Sequence, residues 1–255
     1  GRARSRLNGK LTDFVEWQAE YEFAGENGTD TPSFYDTYIQ FDGIPYLPGA
    51  AGDLRIGHFR EPFSLEELSS LRSLTFQERS LNAVFNPVRN IGIQWSDAVL
   101  GPEKQERLSY QVGLFKVADN WPSSNDSDDD QGWAVTGRVT GLPYYKGNGE
   151  QLLHLGLAYS HRNPDGAVLG WNARPESRLA QFRYANADGT APTPPLAPFR
   201  LRDARADNVD QFNLEAAFNY RSLLLQGEYT YAKVDTTFGG ERNFSGYYLQ
   251  ASYLL

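Results

Sequence analysis

Arginine side chains are the residues of this chain best suited to do chemistry, because of their type and their positions. Six lie on the polar side of segments with strand-like alternation: Arg2, Arg4, Arg6, Arg55, Arg138 and Arg162. Four more lie in or beside a long segment without that alternation: Arg60, Arg72, Arg79 and Arg89. A guanidinium stays ionised and offers several N–H donors in a planar fork, so a track of arginines can bind and conduct oxyanions.

A second interpretation of the same arginines is structural. Glutamates also occupy the polar sides of these segments, at Glu16, Glu20, Glu22 and Glu228. Arginines facing them would form ion pairs that brace the wall of the protein rather than attract a solute. The sequence leaves both interpretations open.

The segments that carry these charges alternate apolar and polar residues. In residues 11–23 the apolar side consists of Leu11, Val15, Trp17, Ala19, Tyr21 and Phe23, and only Asp13 and Phe14 break the pattern. Side chains of a strand point to opposite faces in turn, so the pattern predicts one strand with an apolar and a polar face. Asn8-Gly9 predicts a tight turn immediately before it.

About eleven such segments follow one another, which predicts an all-β protein. Their connections alternate between short and long, as in a transmembrane antiparallel up-and-down β-barrel, where the apolar faces meet lipid and the polar faces line a channel. The 15 Tyr, 15 Phe and 5 Trp would suit aromatic girdles at the membrane interfaces. No apolar run reaches the length of a transmembrane helix. The net charge of -8 disfavours nucleic acid as a partner.

The long segment 60–89 interrupts the alternation. Ser64 is a candidate N-cap for a short helix, with Glu67 at the capping-box position. Residues 75–80 suggest a second helical piece. Long insertions between strands usually carry function.

Residues 55–92 read RIGHFREPFSLEELSSLRSLTFQERSLNAVFNPVRNIG, which resembles the phosphate-selective porin O/P family and its stretch GQFKEPFSLEEL…LTFMERSL…RNIG. The likeness extends to VEWQAEYEFA, WAVTGRVTGLPYY, ARPESRL and LEAAFNYRSLLLQGEYTYAKVD. It covers nearly the whole chain, and the EPFSLEE core at residues 61–67 is its most specific part.

The resemblance implies a bacterial outer-membrane porin that forms homotrimers with sixteen strands per subunit. Residues 1–255 would be a single barrel domain that lacks strands at both ends, and residues 163–208 a long external loop. Segment 60–89 would be the constriction loop inside the barrel. Its candidate site residues are Arg60, Glu61, Phe63, Glu66, Glu67, Arg72, Glu78, Arg79 and Arg89.

The predicted function is passive diffusion of small anionic or polar solutes. The resemblance associates phosphate selection with constriction lysines, but none of the five lysines lies in segment 60–89. A general anion or small-solute pore is therefore favoured over a phosphate-specific one. The lipid bilayer and lipopolysaccharide are the other expected contacts.

Other chemistry has little support in the sequence. Asp126, Asp128 and Asp130 could bind Ca²⁺, but their loop lacks the following Gly and distal Glu of an EF-hand, so a solvated external loop is favoured. No phosphate-binding loop, dinucleotide fingerprint or nucleophile elbow is present. No enzyme activity and no cofactor are expected.

Two alternatives to a porin stay open at this stage. One is a structural outer-membrane barrel whose long loops anchor a surface layer or another envelope protein. The other is a soluble carbohydrate-binding β-sandwich, which a strict alternation of short and long connections disfavours.

Overall fold

The strands of this protein follow one another across a single sheet. The computed structural model describes residues 3–23, 33–43, 52–70, 73–76, 78–101, 106–117, 132–164, 172–173, 182–183, 206–237 and 240–254. Eleven antiparallel strands form the sheet in chain order: β1 (Arg4–Thr12), β2 (Val15–Glu22), β3 (Ser33–Phe41), β4 (Asp53–Arg60), β5 (Arg89–Val99), β6 (Leu108–Lys116), β7 (Trp133–Lys146), β8 (Gln151–Asn163), β11 (Ala206–Tyr220), β12 (Leu223–Thr236) and β13 (Glu241–Tyr253). Two short strands, β9 (Asn172–Ala173) and β10 (Phe182–Arg183), pair with each other.

This topology confirms the all-β, up-and-down architecture. Within the described residues β1 pairs with β2 alone and β13 with β12 alone, so these two strands are the ends of the sheet. Helical structure is limited there to α1 (Leu65–Leu68) and to 3₁₀ turns at Leu81–Phe85 and Gly147–Gly149. None of these helices has the length and apolar character required to cross a membrane.

The first tight turn lies elsewhere than the sequence predicts. Strand β1 continues through Asn8 and Gly9, which pair with Gln18 and Trp17, and the chain turns at Asp13 and Phe14. The prediction of a single strand over residues 11–23 is therefore wrong. The two residues that broke the alternation are the turn itself. Ladder pairing outweighs the local Asn-Gly preference because it brings the charged side chains of β1 opposite those of β2.

The two faces of the sheet differ as the alternation predicts. Apolar side chains are exposed on one face, for example Ile91 at 62%, Leu214 at 54% and Leu249 at 82%. On the other face Glu215, Thr230 and many other polar side chains are buried. A soluble protein buries its apolar face, so this arrangement is the one that a barrel in lipid requires.

The longest connections lie at one end of the strands, and most of the shortest lie at the other. Residues 13–14, 147–150 and 221–222 form short turns at one end, whereas 61–88 and 164–205 connect strands at the other. Most of segment 163–208 lies outside the described residues. The described part of connection 61–88 turns back over the polar face of the sheet and brings Glu61 and Glu66 to the wall.

Helix α1 begins as the sequence predicts. The Ser64 hydroxyl accepts the backbone N–H of Glu67 at 3.2 Å, which is an N-cap bond. The second helical piece predicted at 75–80 is wrong, because the described residues of that range are not helical and the 3₁₀ turn starts at Leu81. Two residues hold this part extended along α1. Ser80 donates from its backbone N–H and its hydroxyl to the Glu66 carboxylate, and Arg79 donates to backbone carbonyls of α1.

Candidate functional site

The segment between β4 and β5, residues 61–88, is attached to strands far from it in the sheet. We call this segment the inward loop. The Asn82 amide donates to the Thr230 hydroxyl on β12 at 2.9 Å, and the Gln211 amide on β11 donates to the Phe85 carbonyl. Five strands of the sheet order separate β4 from β12, so the loop crosses the polar face from one wall to another.

Glu228 on β12 is the first anchor of the inward loop. Its Oε1 accepts the backbone N–H of Glu66 at 2.7 Å and the Tyr248 hydroxyl at 2.8 Å. Its Oε2 accepts the Leu65 N–H at 3.2 Å and the Asn213 amide at 3.1 Å. The first N–H groups of a helix lack partners within the helix, and a carboxylate both binds them and interacts favourably with their positive end.

Glu61 is the second anchor. Here the carboxylate belongs to the loop and the hydrogen-bond donors belong to the wall. Its fully buried carboxylate accepts hydrogen bonds from Asn90 and Thr136, both at 2.5 Å, and from Arg162 at 2.8 Å. These donors come from β5, β7 and β8. One loop carboxylate therefore binds three strands, and its charge is balanced by one wall arginine.

Arg60 and Arg79 both lie against Glu67 on α1. Their Nε atoms are 3.5 Å and 3.1 Å from Glu67 carboxylate oxygens. Arg60 also donates to the Glu67 carbonyl at 2.5 Å. Beside them, burial raises the pKa of Glu66 above its ordinary value, although the two hydrogen bonds from Ser80 act in the opposite direction.

Near the start of β5, Arg89 pairs with Asp36 at 2.8 Å. Its Cζ lies 4.4 Å from the Tyr35 ring centre, and the Arg4 Cζ lies 3.7 Å from the same centre. A shift of register between β2 and β3 accompanies this contact. Arg4 also donates to Glu22 at 2.7 Å, so the ring is enclosed by two neutralised guanidinium groups.

Farther along the wall, Arg138 on β7 bonds Glu215 on β11 at 2.5 Å. His154 Nε2 is 2.8 Å from the same carboxylate. Gly156 makes room for it, because a Cβ at that position would collide with the Glu215 side chain. Gly156 lies on β8, between β7 and β11, where the Arg138–Glu215 ion pair crosses that strand.

The structure separates the predicted arginines into groups. Those with a carboxylate oxygen within 4.0 Å are Arg4, Arg6, Arg60, Arg79, Arg89, Arg138 and Arg162. Arg55 instead bonds the Gln40 amide. Arg2, Arg72, Asp126, Asp128 and Asp130 lie outside the described residues. Phe63 is fully buried in the inward loop, and Glu78 is half-buried there.

The proposed glutamate partners differ from one another. Glu20 and Glu22 bind arginines, Glu16 binds Lys10 at 2.8 Å, and Glu228 binds the neutral donors described above. Sequence reasoning missed the acidic partners Asp36 and Glu215. Glu215 was detectable, because it lies on the polar side of an alternating segment.

No described group of three or more His, Cys, Asp or Glu side chains is arranged to hold a metal ion. The site is therefore a polar wall, crossed by an anchored loop, in which positive and negative side chains are largely matched. This arrangement can position a loop and select solutes by size and by residual charge.

The chain is similar to several solved structures at low sequence identity. A loop-deletion mutant of OmpT, an outer membrane protein of Vibrio cholerae, is 11% identical, with a TM-score of 0.42 and coverage of 99% of this chain and 79% of that chain. The outer membrane channel DcaP of Acinetobacter baumannii is 13% identical, with a TM-score of 0.39 and coverage of 99% and 84%. No curated protein sequence gives a significant match.

The family comparison covers almost the whole chain. The model of the phosphate-selective porin O and P family matches residues 2–255. The two-faced strands and their up-and-down order are those of a membrane barrel. The chain therefore belongs to the phosphate-selective porin O and P family, the β-barrel porins of the bacterial outer membrane.

Proposed function

We propose that this protein is a passive diffusion channel for small polar solutes, with a moderate preference for anions. The observation that carries the proposal is the polar face of the sheet, along which an inward loop is held by buried carboxylates. A narrow aqueous path selects by width and by the charge of its lining. The proposed role is transport without a chemical step.

The expected preference for anions is moderate because most arginines of the wall are neutralised. Seven of those named above have a carboxylate within 4.0 Å. A close ion pair has a much weaker field at a distance than a single charge, because the two contributions largely cancel. Segment 60–89 also contains no lysine, so we propose a general pore in preference to one specific for phosphate.

Single-channel recording in planar bilayers tests the proposal. The full-length protein should give stable open steps in KCl, and the reversal potential in a KCl gradient should indicate anion preference. A correctly folded protein that never conducts would refute the proposal. Chloride permeability unaffected by millimolar phosphate would agree with a general pore, whereas strong block by phosphate would restore the phosphate-specific interpretation.

We also propose that the protein acts as a homotrimer in contact with lipopolysaccharide, as the family resemblance implies. Native mass spectrometry of the detergent-extracted protein tests this part, with a trimer expected and a monomer contradicting it. The structural alternative, a barrel that anchors a surface layer, stays a prediction. Its main element, segment 163–208, lies largely outside the described residues.

A further inference from the structure

The exposed apolar face of the sheet, which we call the outer face, has a polar border at each end of the strands. At the end with the longest connections, cross-strand partners on β8, β11, β12 and β13 form one row: His161, Asp210, Lys233 and Asn243. At the end with the short turns, partners on β7, β8 and β11 form another: Lys146, Gln151 and Tyr220. Cross-strand partners project from the same side of a sheet, so both rows border the same apolar surface.

The spacing of the two rows fits a membrane. On β11, the residues between Asp210 and Tyr220 that share their face are all apolar: Phe212, Leu214, Ala216 and Phe218. The two border residues are ten positions apart, which corresponds to about 33 Å along an extended strand. At the strand tilt of about 40° found in outer-membrane barrels, this gives a height of about 25 Å, the same as their apolar band. The rows therefore mark the two levels at which lipid headgroups begin.

The two borders differ in charge. The border at the long connections carries three carboxylates and one lysine: Asp210, Asp235, Glu241 and Lys233. This lysine is neutralised, because its Nζ lies 3.0 Å from Glu241. At the short-turn border Lys146 and Arg221 are both exposed, and neither forms an ion pair within the part of the chain that the structure describes. Unpaired positive charge on the outer face therefore lies at the short-turn border.

Each of these two cations lies near a tyrosine ring. Lys146 Nζ is 5.6 Å from the centre of the Tyr144 ring, and Arg221 Cζ is 5.6 Å from the centre of the Tyr220 ring. Contacts of this kind stabilise a cation without neutralising it. The Tyr144 hydroxyl donates to the Gln151 amide oxygen at 2.8 Å, which holds that ring at the border. Tyrosine is itself enriched at the level of the headgroups.

The backbone joins the two turns that carry the cations. Arg221 has a φ of 53°, and its N–H donates to the Glu150 carbonyl at 2.7 Å. This bond connects turn 221–222 to turn 147–150, which directly follows Lys146. Glu150 is the only carboxylate in the sequence of these two turns, and its side chain packs against Gly147. The patch therefore has two fixed cations and one carboxylate.

We propose that Lys146 and Arg221 bind the phosphate of an anionic phospholipid at the short-turn border of the outer face. Two cations that form no ion pair among the described residues complement a headgroup of net negative charge, and basic residues at a membrane surface attract such lipids. The acyl chains lie along the next row of the outer face, which is apolar: Leu153, Phe218 and Leu225. This assignment goes beyond the proposed channel and does not depend on conduction.

Native mass spectrometry of the full-length protein in detergent tests the assignment. Dioleoylphosphatidylglycerol is the anionic probe and dioleoylphosphatidylcholine the zwitterionic one, and the ratio of their affinities is the lipid preference. The parent should prefer phosphatidylglycerol. Lys146→Gln and Arg221→Asn should each lower this preference about fivefold, and the double variant should nearly abolish it. Asparagine is chosen at position 221 because it tolerates a positive φ.

Lys233→Gln is the matched control. It removes the same charge from the outer face, but at the opposite border and from a lysine that Glu241 already neutralises. The lipid preference of this variant should equal that of the parent. Folding is checked by heat-modifiable migration in gels, and the two single variants keep the test decisive if the double variant does not fold.

The possible outcomes separate this assignment from the other proposals. A folded double variant with the preference of the parent overturns it, and so does an equal loss in Lys233→Gln, since net charge rather than position would then be responsible. Variants that bind lipid A less tightly but phosphatidylglycerol as before would place lipopolysaccharide at this border. Variants that dissociate the oligomer without changing the lipid preference would make it a contact between copies. Either result overturns the assignment, whereas a parent that keeps the preference but never conducts contradicts only the proposed channel.

Discussion

The Glu228 carboxylate accepts the backbone N–H of Glu66 at 2.7 Å, although the two residues are 162 positions apart in the chain. The bond joins the N-terminal end of α1 to β12, on the far side of the sheet from the strand that leads into the loop. A second carboxylate, Glu61, binds the start of the loop to β5, β7 and β8, and Asn82 binds a later part of it to β12. These bonds fix the loop against the polar face of the sheet.

Replacing Glu228 should loosen the inward loop. In Glu228→Gln one acceptor oxygen becomes an NH₂ group that faces existing donors, so we expect a loss of about 1–3 kcal/mol in the free energy of unfolding. Limited proteolysis in detergent should then cut within residues 61–88, and channel recordings should become noisier. Glu241→Gln, the same chemical change on the exposed face of β13, is the control and should leave cleavage unchanged. Resistance of Glu228→Gln to cleavage would contradict the anchor.

Replacing Glu61 should cost more, because it leaves a buried charge without a partner. Glu61→Gln removes the counter-ion of Arg162, and losing one member of a buried pair typically costs about 3–5 kcal/mol. Urea unfolding of the refolded protein measures the change. The double variant Glu61→Gln/Arg162→Gln should recover part of the loss, since no unpaired charge then remains. A double variant no more stable than Glu61→Gln would argue against a specific coupling between the two side chains.

Replacing Arg138 and replacing Glu215 should change ion selectivity in opposite directions. Glu215→Gln releases the Arg138 charge and should raise the chloride-to-potassium permeability ratio about two- to threefold, whereas Arg138→Gln should lower it by a similar factor. Reversal potentials in a KCl gradient measure both. If the two variants moved the ratio in the same direction, the change would reflect altered pore shape rather than charge.

The raised pKa of Glu66 predicts that the attachment of the inward loop depends on pH. Burial raises the pKa of this carboxyl in the folded protein above its ordinary value of 4.5. A raised carboxyl pKa means that the folded state favours the protonated form, so this contribution to stability is full below pH 4.5 and is lost as pH rises through the raised value. Glu228, Arg79 and Ser80 are the groups that face it.

The measurement is protease cleavage of the inward loop across this pH range, with a protease active throughout. Glu66→Gln mimics the protonated form and should remove this part of the pH dependence. A variant with the same pH profile as the parent would show that another group is responsible.

Much of the architecture was predictable from the sequence because it depends on local rules. Alternation of side chains is a property of the extended backbone, so residues such as Ile91 and Glu215 could be assigned to faces without coordinates. The Ser64 cap was predictable for the same reason, since its hydroxyl bonds an N–H only three residues away.

The first turn and the charge pairing were decided by tertiary structure. Asn8-Gly9 is a strong local turn signal, yet these residues remain in β1, where they pair with β2. The sequence also could not decide which arginines brace the wall and which contact a solute. Arg162 and its partner Glu61, for example, are 101 positions apart. Local pattern gives each residue a face, but only the register and the path of the loop determine which opposite charge lies within reach of that face.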